Sequence, residues 1–135
     1  MLRSLSFLLM LIALPAFAQA PVWIDVRTPA EFNTDHLEGA HHIPFDQIEA
    51  GIMSLALSKD SEIYVYCAVG GRAEVAKESL ERRGYTRVVN VGSLENARTV
   101  AGTLERCAKS SDAPGCNKPG TPQETTPAAS VPREG

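Results

Sequence analysis

The segment EIYVYCAVGGR, residues 62–72, joins an apolar run to a glycine-bearing loop. Its first part, 62–66, is rich in β-branched and aromatic residues, which predicts a buried central strand. The loop begins with Cys67 and ends with Arg72, and the apolar spacing that follows over 73–83 predicts a helix. A thiol and a guanidinium therefore stand at the two ends of one strand-to-helix turn.

The same alternation of extended and helical patterns continues on both sides of this segment. The predicted strands lie at 22–26, 40–43, 62–66 and 87–91, and the predicted helices at 29–35, 47–57, 73–83 and 94–107. The signals for helix starts are Thr28 with Glu31, Asp46, and Ser93. We therefore expect an α/β fold, a single small domain whose parallel sheet carries helices on both faces. In such sheets ligands bind beyond the carboxyl ends of the strands, where Cys67 stands.

The amino-terminal end of the chain has the features of a secretory signal peptide. Arg3 precedes an apolar run over 5–14, and small residues around Ala18 form a cleavage site, so residues 1–18 are predicted to be removed. The alternative, an uncleaved membrane anchor, needs roughly 20 apolar residues, more than this run provides. We thus expect a periplasmic or secreted protein that is not stably inserted in the membrane.

Composition limits the rest of the chain to one small globular domain. Of the 135 residues, 44% are hydrophobic. Residues 109–135 are rich in Pro, Ser, Thr, Gly and Ala, which predicts a flexible tail and leaves 19–108 as the folded domain. The 13 Lys and Arg against 16 Asp and Glu give a net charge of -3 with no basic stripe. Nucleic acid is therefore not an expected partner.

The loop between Cys67 and Arg72 has the composition of an anion-binding site. Gly70 and Gly71 allow successive backbone N–H groups to turn toward one point, and Arg72 adds a positive charge there. The N-terminus of the following helix faces the same point. These effects lower the pKa of a thiol from about 8.5 toward neutrality, so Cys67 is predicted to be a nucleophilic thiolate. The alternative is that Cys67 is a small, inert core residue, as free cysteines often are.

Three segments together resemble the single-domain rhodaneses, and in particular the small periplasmic rhodaneses of phage-shock type. They are Ile24-Asp25-Val26-Arg27 followed by Glu31-Phe32, the run HLEGAHHIP over 36–44, and the segment from Tyr64 to Arg72. The resemblance matches Cys67 to the family's active-site cysteine and Arg72 to its loop arginine. The substrate-binding amides between them would belong to Ala68, Val69, Gly70 and Gly71. The family's Asp-x-Arg matches Asp25 and Arg27.

The resemblance implies a ping-pong sulfurtransferase that uses no metal or organic cofactor. Cys67 would attack the outer sulfur of a small anionic donor such as thiosulfate and become a persulfide. A thiophilic acceptor, cyanide in an assay and a thiol or protein in the cell, would then take the sulfur away. The loop would both hold the donor and stabilise the persulfide anion.

The residues around this loop have further expected roles. Asp25 and Arg27 are predicted to form an ion pair that orders the rim of the site, and Arg27 is also a candidate for donor binding. The alternative for this pair is an ordinary strand-end salt bridge worth about 0 to 1 kcal/mol. The chain departs from the family at Asp35, where Gly is usual, and at Ala73, where Ser or Thr is usual. The missing hydroxyl at Ala73 could weaken hydrogen bonding within the loop.

Other functions are compatible with parts of the same pattern. Cysteine phosphatases use a similar loop with five residues between Cys and Arg, whereas four separate Cys67 from Arg72. A non-catalytic binding module of the same fold would lack the nucleophile that Cys67 provides. Thiol–disulfide exchange is disfavoured because the sequence has no Cys-x-x-Cys.

The chain has three cysteines, an odd number for an oxidising compartment. We hypothesise a disulfide between Cys107 and Cys116 that leaves Cys67 free; the alternative is that both are reduced. A disulfide across so short a loop would stabilise the fold by roughly 2 to 3 kcal/mol.

The histidines His36, His41 and His42 with Asp35 are the remaining candidates for a metal site. Adjacent histidines on a strand point to opposite faces, so we expect structural roles and no metal.

Overall fold

The sheet has four parallel strands in the order β2-β1-β3-β4. The structure, a computed structural model, describes residues 19–116. Its strands are β1 (Val22–Asp25), β2 (His41–His42), β3 (Ile63–Cys67) and β4 (Val88–Ser93). Its α-helices are α1 (Pro29–Thr34), α2 (Ile48–Gly51), α3 (Gly71–Arg82) and α4 (Leu94–Lys109). The prediction of a small α/β domain with a parallel sheet is confirmed.

Helices cover both faces of the sheet because the strands alternate two sets of apolar side chains. One set, which includes Ile24, Ile63 and Val65, packs with α2 and α3, and the members named are fully buried. The other set includes Tyr66 and packs with α4 around Ala97. The central strand β3 is buried along its whole length. Its last residue, Cys67, therefore lies buried at the carboxyl edge of the sheet.

Two helix starts follow the predicted capping. At α1, Thr28 accepts a hydrogen bond from the backbone of Glu31, whose carboxylate accepts one in return from the backbone of Thr28. At α4, the hydroxyl of Ser93 accepts a hydrogen bond from the backbone of Asn96. Each cap satisfies backbone N–H groups that the first helical turn leaves without partners.

The prediction of one continuous helix over 47–57 is wrong. Its residues make a short α2 flanked by two 3-10 turns, Phe45–Gln47 and Ile52–Leu55. Asp46 is not a cap but lies within the first turn, because Phe45 donates its N–H to Val26 and Pro44 begins the turn. The predicted strand at 40–43 is likewise reduced to His41–His42.

Strand β4 carries a bulge opposite the end of β3. Val65 pairs with Asn90 and Tyr66 pairs with Gly92, so Val91 is an extra residue in β4. Gly92 has a φ of 86°, a backbone conformation that favours glycine. The bulge brings Asn90 beside the loop that follows Cys67.

Helix α4 continues to Lys109, two residues beyond the predicted end at Cys107. Residues 110–116 turn back, and Cys107 and Cys116 are joined by a disulfide with Cα atoms 5.3 Å apart. The predicted tail at 109–135 therefore begins inside a helix. The rest of that tail, from residue 117 on, and the predicted signal peptide at 1–18 lie outside the described residues. Among residues 19–116, none of the helices is both long and apolar enough to cross a membrane.

Candidate active site

Cys67 ends the central strand, and the loop 68–70 carries the chain into α3. The thiol is only 1% exposed. The backbone N–H of Gly70 donates to its sulfur at 2.9 Å. Gly70 has a φ of 103°, and this left-handed conformation turns the chain back over the sulfur. The side chain of Val69 points the other way and is 90% exposed.

Opposing effects act on the pKa of the Cys67 thiol. Burial raises the pKa, since a low-dielectric surrounding disfavours the thiolate. The backbone N–H groups of Ala73, Gly70, Val69 and Arg72 lower it by hydrogen bonding to the sulfur, and together they outweigh burial. The pKa of Cys67 therefore lies below its ordinary value. This ring of N–H groups includes Ala73, whose missing hydroxyl leaves the backbone contribution intact.

Arg72 does not point freely into solvent but binds the carboxylate of Glu31. Its two terminal nitrogens donate to the two carboxylate oxygens at 2.8 and 2.9 Å. The same carboxylate accepts hydrogen bonds from the backbone and the hydroxyl of Thr28, at 3.0 and 2.8 Å. Glu31 holds the pKa of Arg72 above its ordinary value, and the neighbouring Cys67 thiolate adds to this effect. The capping box of α1 thus anchors the end of the loop.

Asp25 and Arg27 form the expected ion pair, but it is buried and bidentate. Arg27 donates to both oxygens of Asp25 at 3.0, 3.1 and 2.6 Å, and Asp25 is fully buried. Arg27 also donates to the carbonyl of Asp35 at 2.6 Å. With these partners, the pair ties the end of β1 to the end of α1. The charge of Arg27 is therefore balanced by the carboxylate of Asp25.

Asn90 supports the loop from the neighbouring strand, and sequence reasoning missed it. Its amide nitrogen donates to the carbonyl of Gly70 at 3.0 Å and to Glu74 at 2.7 Å. Its amide oxygen accepts from the backbone of Gly92 at 2.9 Å. A Gly inside a strand suggests a bulge, but nothing local to the sequence indicates that Asn90 contacts Gly70, 20 positions earlier.

A cavity of about 210 Å³ opens beside the loop. Arg27 and Arg72 both line it, together with Asp46. The other lining residues are Val26, Thr28, Pro29, Pro44, Phe45 and Gln47. The cavity thus places a mixed apolar and charged surface next to the residue that closes the thiol loop.

Two of the three histidines make contacts within the fold. His36 stacks on Phe32, with ring centroids 3.8 Å apart, and a ring nitrogen contacts the Phe32 carbonyl at 2.8 Å. His42 contacts the carbonyl of Arg27 at 2.9 Å. Within residues 19–116 there is no group of three or more His, Cys, Asp or Glu side chains that could hold a metal ion.

Asp35, at a position where the resemblance predicts Gly, pairs with α4. Its carboxylate accepts from both terminal nitrogens of Arg98 at 2.6 and 3.0 Å. This pair is largely exposed, so it contributes little to the free energy of unfolding. It does connect the end of α1 to α4.

The fold and the loop together define the class of small parallel α/β domains with a cysteine at the start of a strand-to-helix turn whose backbone N–H groups face the sulfur. Comparison with known proteins identifies which family within this class. The sequence profile of the Rhodanese-like domain family matches residues 13–97. The chain therefore belongs to the rhodanese-like family.

Individual relatives agree with this assignment. The thiosulfate sulfurtransferase PspE of Escherichia coli strain K12 is 37% identical over 94 residues, which cover 70% of this chain and 89% of the relative. The putative sulfur carrier protein YrkF of Bacillus subtilis strain 168 is 34% identical over 50% of this chain and 36% of its own length. A solved structure, described as a rhodanese with anions from E. coli, has a TM-score of 0.55 and 38% identity, and covers 57% of this chain and 91% of its own.

Proposed function

We propose that this protein is a thiosulfate sulfurtransferase that carries sulfane sulfur as a persulfide on Cys67. The observation that carries the proposal is the sulfur of Cys67 within a ring of backbone N–H groups, one of them at 2.9 Å. Such a ring stabilises both a thiolate and a persulfide anion. The relative named thiosulfate sulfurtransferase and the solved structure described with anions support the same chemistry.

In the first half of the reaction, the thiolate of Cys67 attacks the outer sulfur of thiosulfate. A new S–S bond forms to Cys67 as the S–S bond within the donor breaks, and sulfite leaves with the electron pair of the broken bond. The outer sulfur of the persulfide keeps its negative charge. The amides of Val69, Gly70, Arg72 and Ala73 are in place to stabilise it, and Ala68 and Gly71 complete the loop.

In the second half, a thiophilic acceptor attacks the outer sulfur of the persulfide. With cyanide the product is thiocyanate, and with a thiolate acceptor the product is a new persulfide on that acceptor. In both cases the S–S bond to Cys67 breaks and its electron pair returns to the thiolate. No net oxidation or reduction of the protein occurs over the cycle.

We further propose that transfer takes place in the periplasm or outside the cell. The support is the signal-peptide pattern over residues 1–18, with its charged start, its apolar run and its small-residue cleavage site. The disulfide between Cys107 and Cys116 fits the same oxidising setting. The acceptor there would be a small thiol or a protein.

The test is the intact mass of the full chain after incubation with thiosulfate. We expect a gain of one sulfur atom, lost again when cyanide is added, with thiocyanate as the product. Cys67→Ser, which keeps the size of the side chain but removes the nucleophilic sulfur, should fold and gain no sulfur. A sulfur adduct on the Cys67→Ser variant would contradict the assignment of the residue. Release of phosphate from p-nitrophenyl phosphate without any thiocyanate would instead indicate a phosphatase.

A further inference from the structure

We infer that Glu31 tunes the charge selectivity of the donor site: its carboxylate disfavours doubly charged donors such as thiosulfate relative to singly charged donors such as thiosulfonates. This inference rests on the proposed sulfur transfer and specifies its substrate class. Glu31 is a positioning and specificity residue here, because it acts through Arg72 and does not bond to Cys67.

Glu31 and Arg72 form a bidentate contact. Both terminal nitrogens of the guanidinium are engaged by the carboxylate, at 2.8 and 2.9 Å. The carboxylate is in turn fixed by two hydrogen bonds from Thr28, at 3.0 and 2.8 Å. Since Glu31 is held by its own helix start, it does not swing away easily. An anion that approaches Arg72 meets a cation already paired with a carboxylate.

The cavity that Arg72 lines has no excess of positive charge among the described residues around it. The other cation in its lining, Arg27, is paired with the buried carboxylate of Asp25. Asp46 lies exposed at the same cavity and adds a further negative charge. The carboxylates around this cavity therefore match or exceed its guanidinium groups. The thiolate of Cys67 nearby makes the region more negative still.

Glu31 should repel a doubly charged donor more strongly than a singly charged one, because the Coulomb energy is proportional to the charge of the donor. A dianion feels twice the repulsion from Glu31 that a monoanion feels, and the difference equals the interaction of one extra charge with that carboxylate. At about 7 Å and an effective dielectric constant of about 35, removing this repulsion changes the ratio of the kcat/KM values for the two kinds of donor by about tenfold. Loss of the carboxylate would also release Arg72 to bind a second negative charge.

The experiment compares two donors that transfer the same kind of sulfur but differ in charge. Thiosulfate, a dianion, releases sulfite, and methanethiosulfonate, a monoanion, releases methanesulfinate. The quantity measured is the ratio of kcat/KM for thiosulfate to kcat/KM for methanethiosulfonate, with cyanide as acceptor and the full chain as enzyme. We expect Glu31→Gln to raise this ratio by about tenfold. Glutamine keeps an oxygen that can accept the hydrogen bonds from Thr28, so the start of α1 is preserved.

Two control variants separate charge from structure. Glu31→Asp keeps the negative charge, and we expect its ratio to stay within about twofold of wild type. Glu105→Gln removes a carboxylate that pairs with Lys109 in the last turns of α4, and it should leave the ratio unchanged. A ratio that rises in Glu105→Gln as much as in Glu31→Gln would reflect net charge and overturn the inference.

The outcomes for the two proposals are distinguishable. If wild type transfers sulfur from both donors and a folded Glu31→Gln variant leaves the ratio unchanged or lower, the inference about Glu31 is wrong and sulfur transfer stands. If wild type transfers sulfur from neither donor, the proposed function fails and this inference fails with it. If circular dichroism shows that Glu31→Gln does not fold, Asp46→Asn takes its place. That variant should raise the ratio by a smaller factor, and an unchanged ratio would overturn the inference.

Discussion

At Cys67, one thiol is subject to two effects that are usually found apart. Burial alone would raise the pKa of the thiol and keep it protonated and inert. Hydrogen bonds from backbone N–H groups lower the pKa instead. The structure combines a fully covered sulfur with several backbone N–H donors, and the net effect on its pKa is downward. This combination supports the proposal that Cys67 is a reactive group and not a filler of the core.

The pH dependence of sulfur transfer should follow this pKa. Because the pKa of Cys67 lies below its ordinary value, we expect kcat/KM to be constant above that pKa and to fall with decreasing pH as the sulfur is protonated. The measurement is a pH profile beside a titration of the thiolate by ultraviolet absorbance. A thiol that titrates at or above about 8.5 would contradict the assigned role of the loop.

The lowered pKa of Cys67 also predicts how the free energy of unfolding depends on pH. A folded-state pKa below the unfolded value means that ionised Cys67 stabilises the fold at pH above the unfolded pKa, and this contribution is lost as pH falls through the folded pKa. The gap in free energy of unfolding between wild type and Cys67→Ser should therefore grow, in favour of wild type, as pH rises toward about 8.5.

Arg72 is predicted to contribute to donor binding. Arg72→Ala removes a charged hydrogen-bond donor and leaves Glu31 unbalanced beside the site, so we expect the KM for thiosulfate to rise by about tenfold or more. The effect on kcat should be smaller. The matched control is Arg83→Ala, which breaks a largely exposed pair with Glu49 and should leave KM unchanged. An unchanged KM in Arg72→Ala would remove Arg72 from donor binding.

Residue contacts show what the sequence could and could not predict. Asp25 and Arg27 are two positions apart at a strand end, so their pairing follows from local geometry. Glu31 and Arg72 are 41 positions apart, and the sequence assigns Glu31 only its local role as a cap. The second role depends on how α1 meets the loop, which no local pattern encodes.

At the scale of elements, the turn from β3 into α3 depends on one unusual backbone conformation. Gly70 has a φ of 103°, whereas Gly71 begins the helix with open space around it. We expect Gly70→Ala to lower the free energy of unfolding by roughly 1 to 2 kcal/mol, because a side chain disfavours this φ. Urea unfolding monitored by circular dichroism is the measurement.

Gly71→Ala is the matched control for this prediction. Its free energy of unfolding should stay within about 0.5 kcal/mol of wild type or increase, since alanine suits a helix. Equal destabilisation by the two substitutions would show that the loop does not depend on the conformation of Gly70.

The elements differ in how well sequence predicts them. The starts of α1 and α4 follow from caps within three residues, at Thr28 and Ser93, and both are confirmed. The helix expected from Asp46 on is broken into three short pieces. There, the backbone N–H of Phe45 donates to the carbonyl of Val26, just after β1, and Gly51 lies so close to Ile43 that an added side-chain atom would overlap it. Tertiary contacts, and not helical periodicity, determine this segment.

At the scale of the whole molecule, the disulfide should affect stability and leave activity alone. Cys107 lies about 20 Å along α4 from the first turn of that helix, near which the site is built. We expect the double variant Cys107→Ala, Cys116→Ala to lower the free energy of unfolding by roughly 2 to 3 kcal/mol, with unchanged sulfur transfer. Denaturation with and without reductant, beside the transfer assay, measures both. Non-reducing peptide mapping that found Cys67 in a bridge would contradict this division of roles.

The overall architecture is the level that the sequence predicts best. Alternating strands and helices indicate a parallel sheet, and three separated segments resemble the rhodaneses, which the family match over residues 13–97 confirms. The strand order and the bulge at Val91 are not predicted, because each depends on pairing between distant parts of the chain.

The difference in exposure between Cys67 and Val69 also bears on the lifetime of the proposed persulfide. Cys67 is 1% exposed, while Val69 is 90% exposed. Because Cys67 is almost fully covered, a slim group should reach its sulfur more easily than a bulky reagent. For the proposed persulfide, this burial would favour delivery of the sulfur to an acceptor over its loss to oxidation.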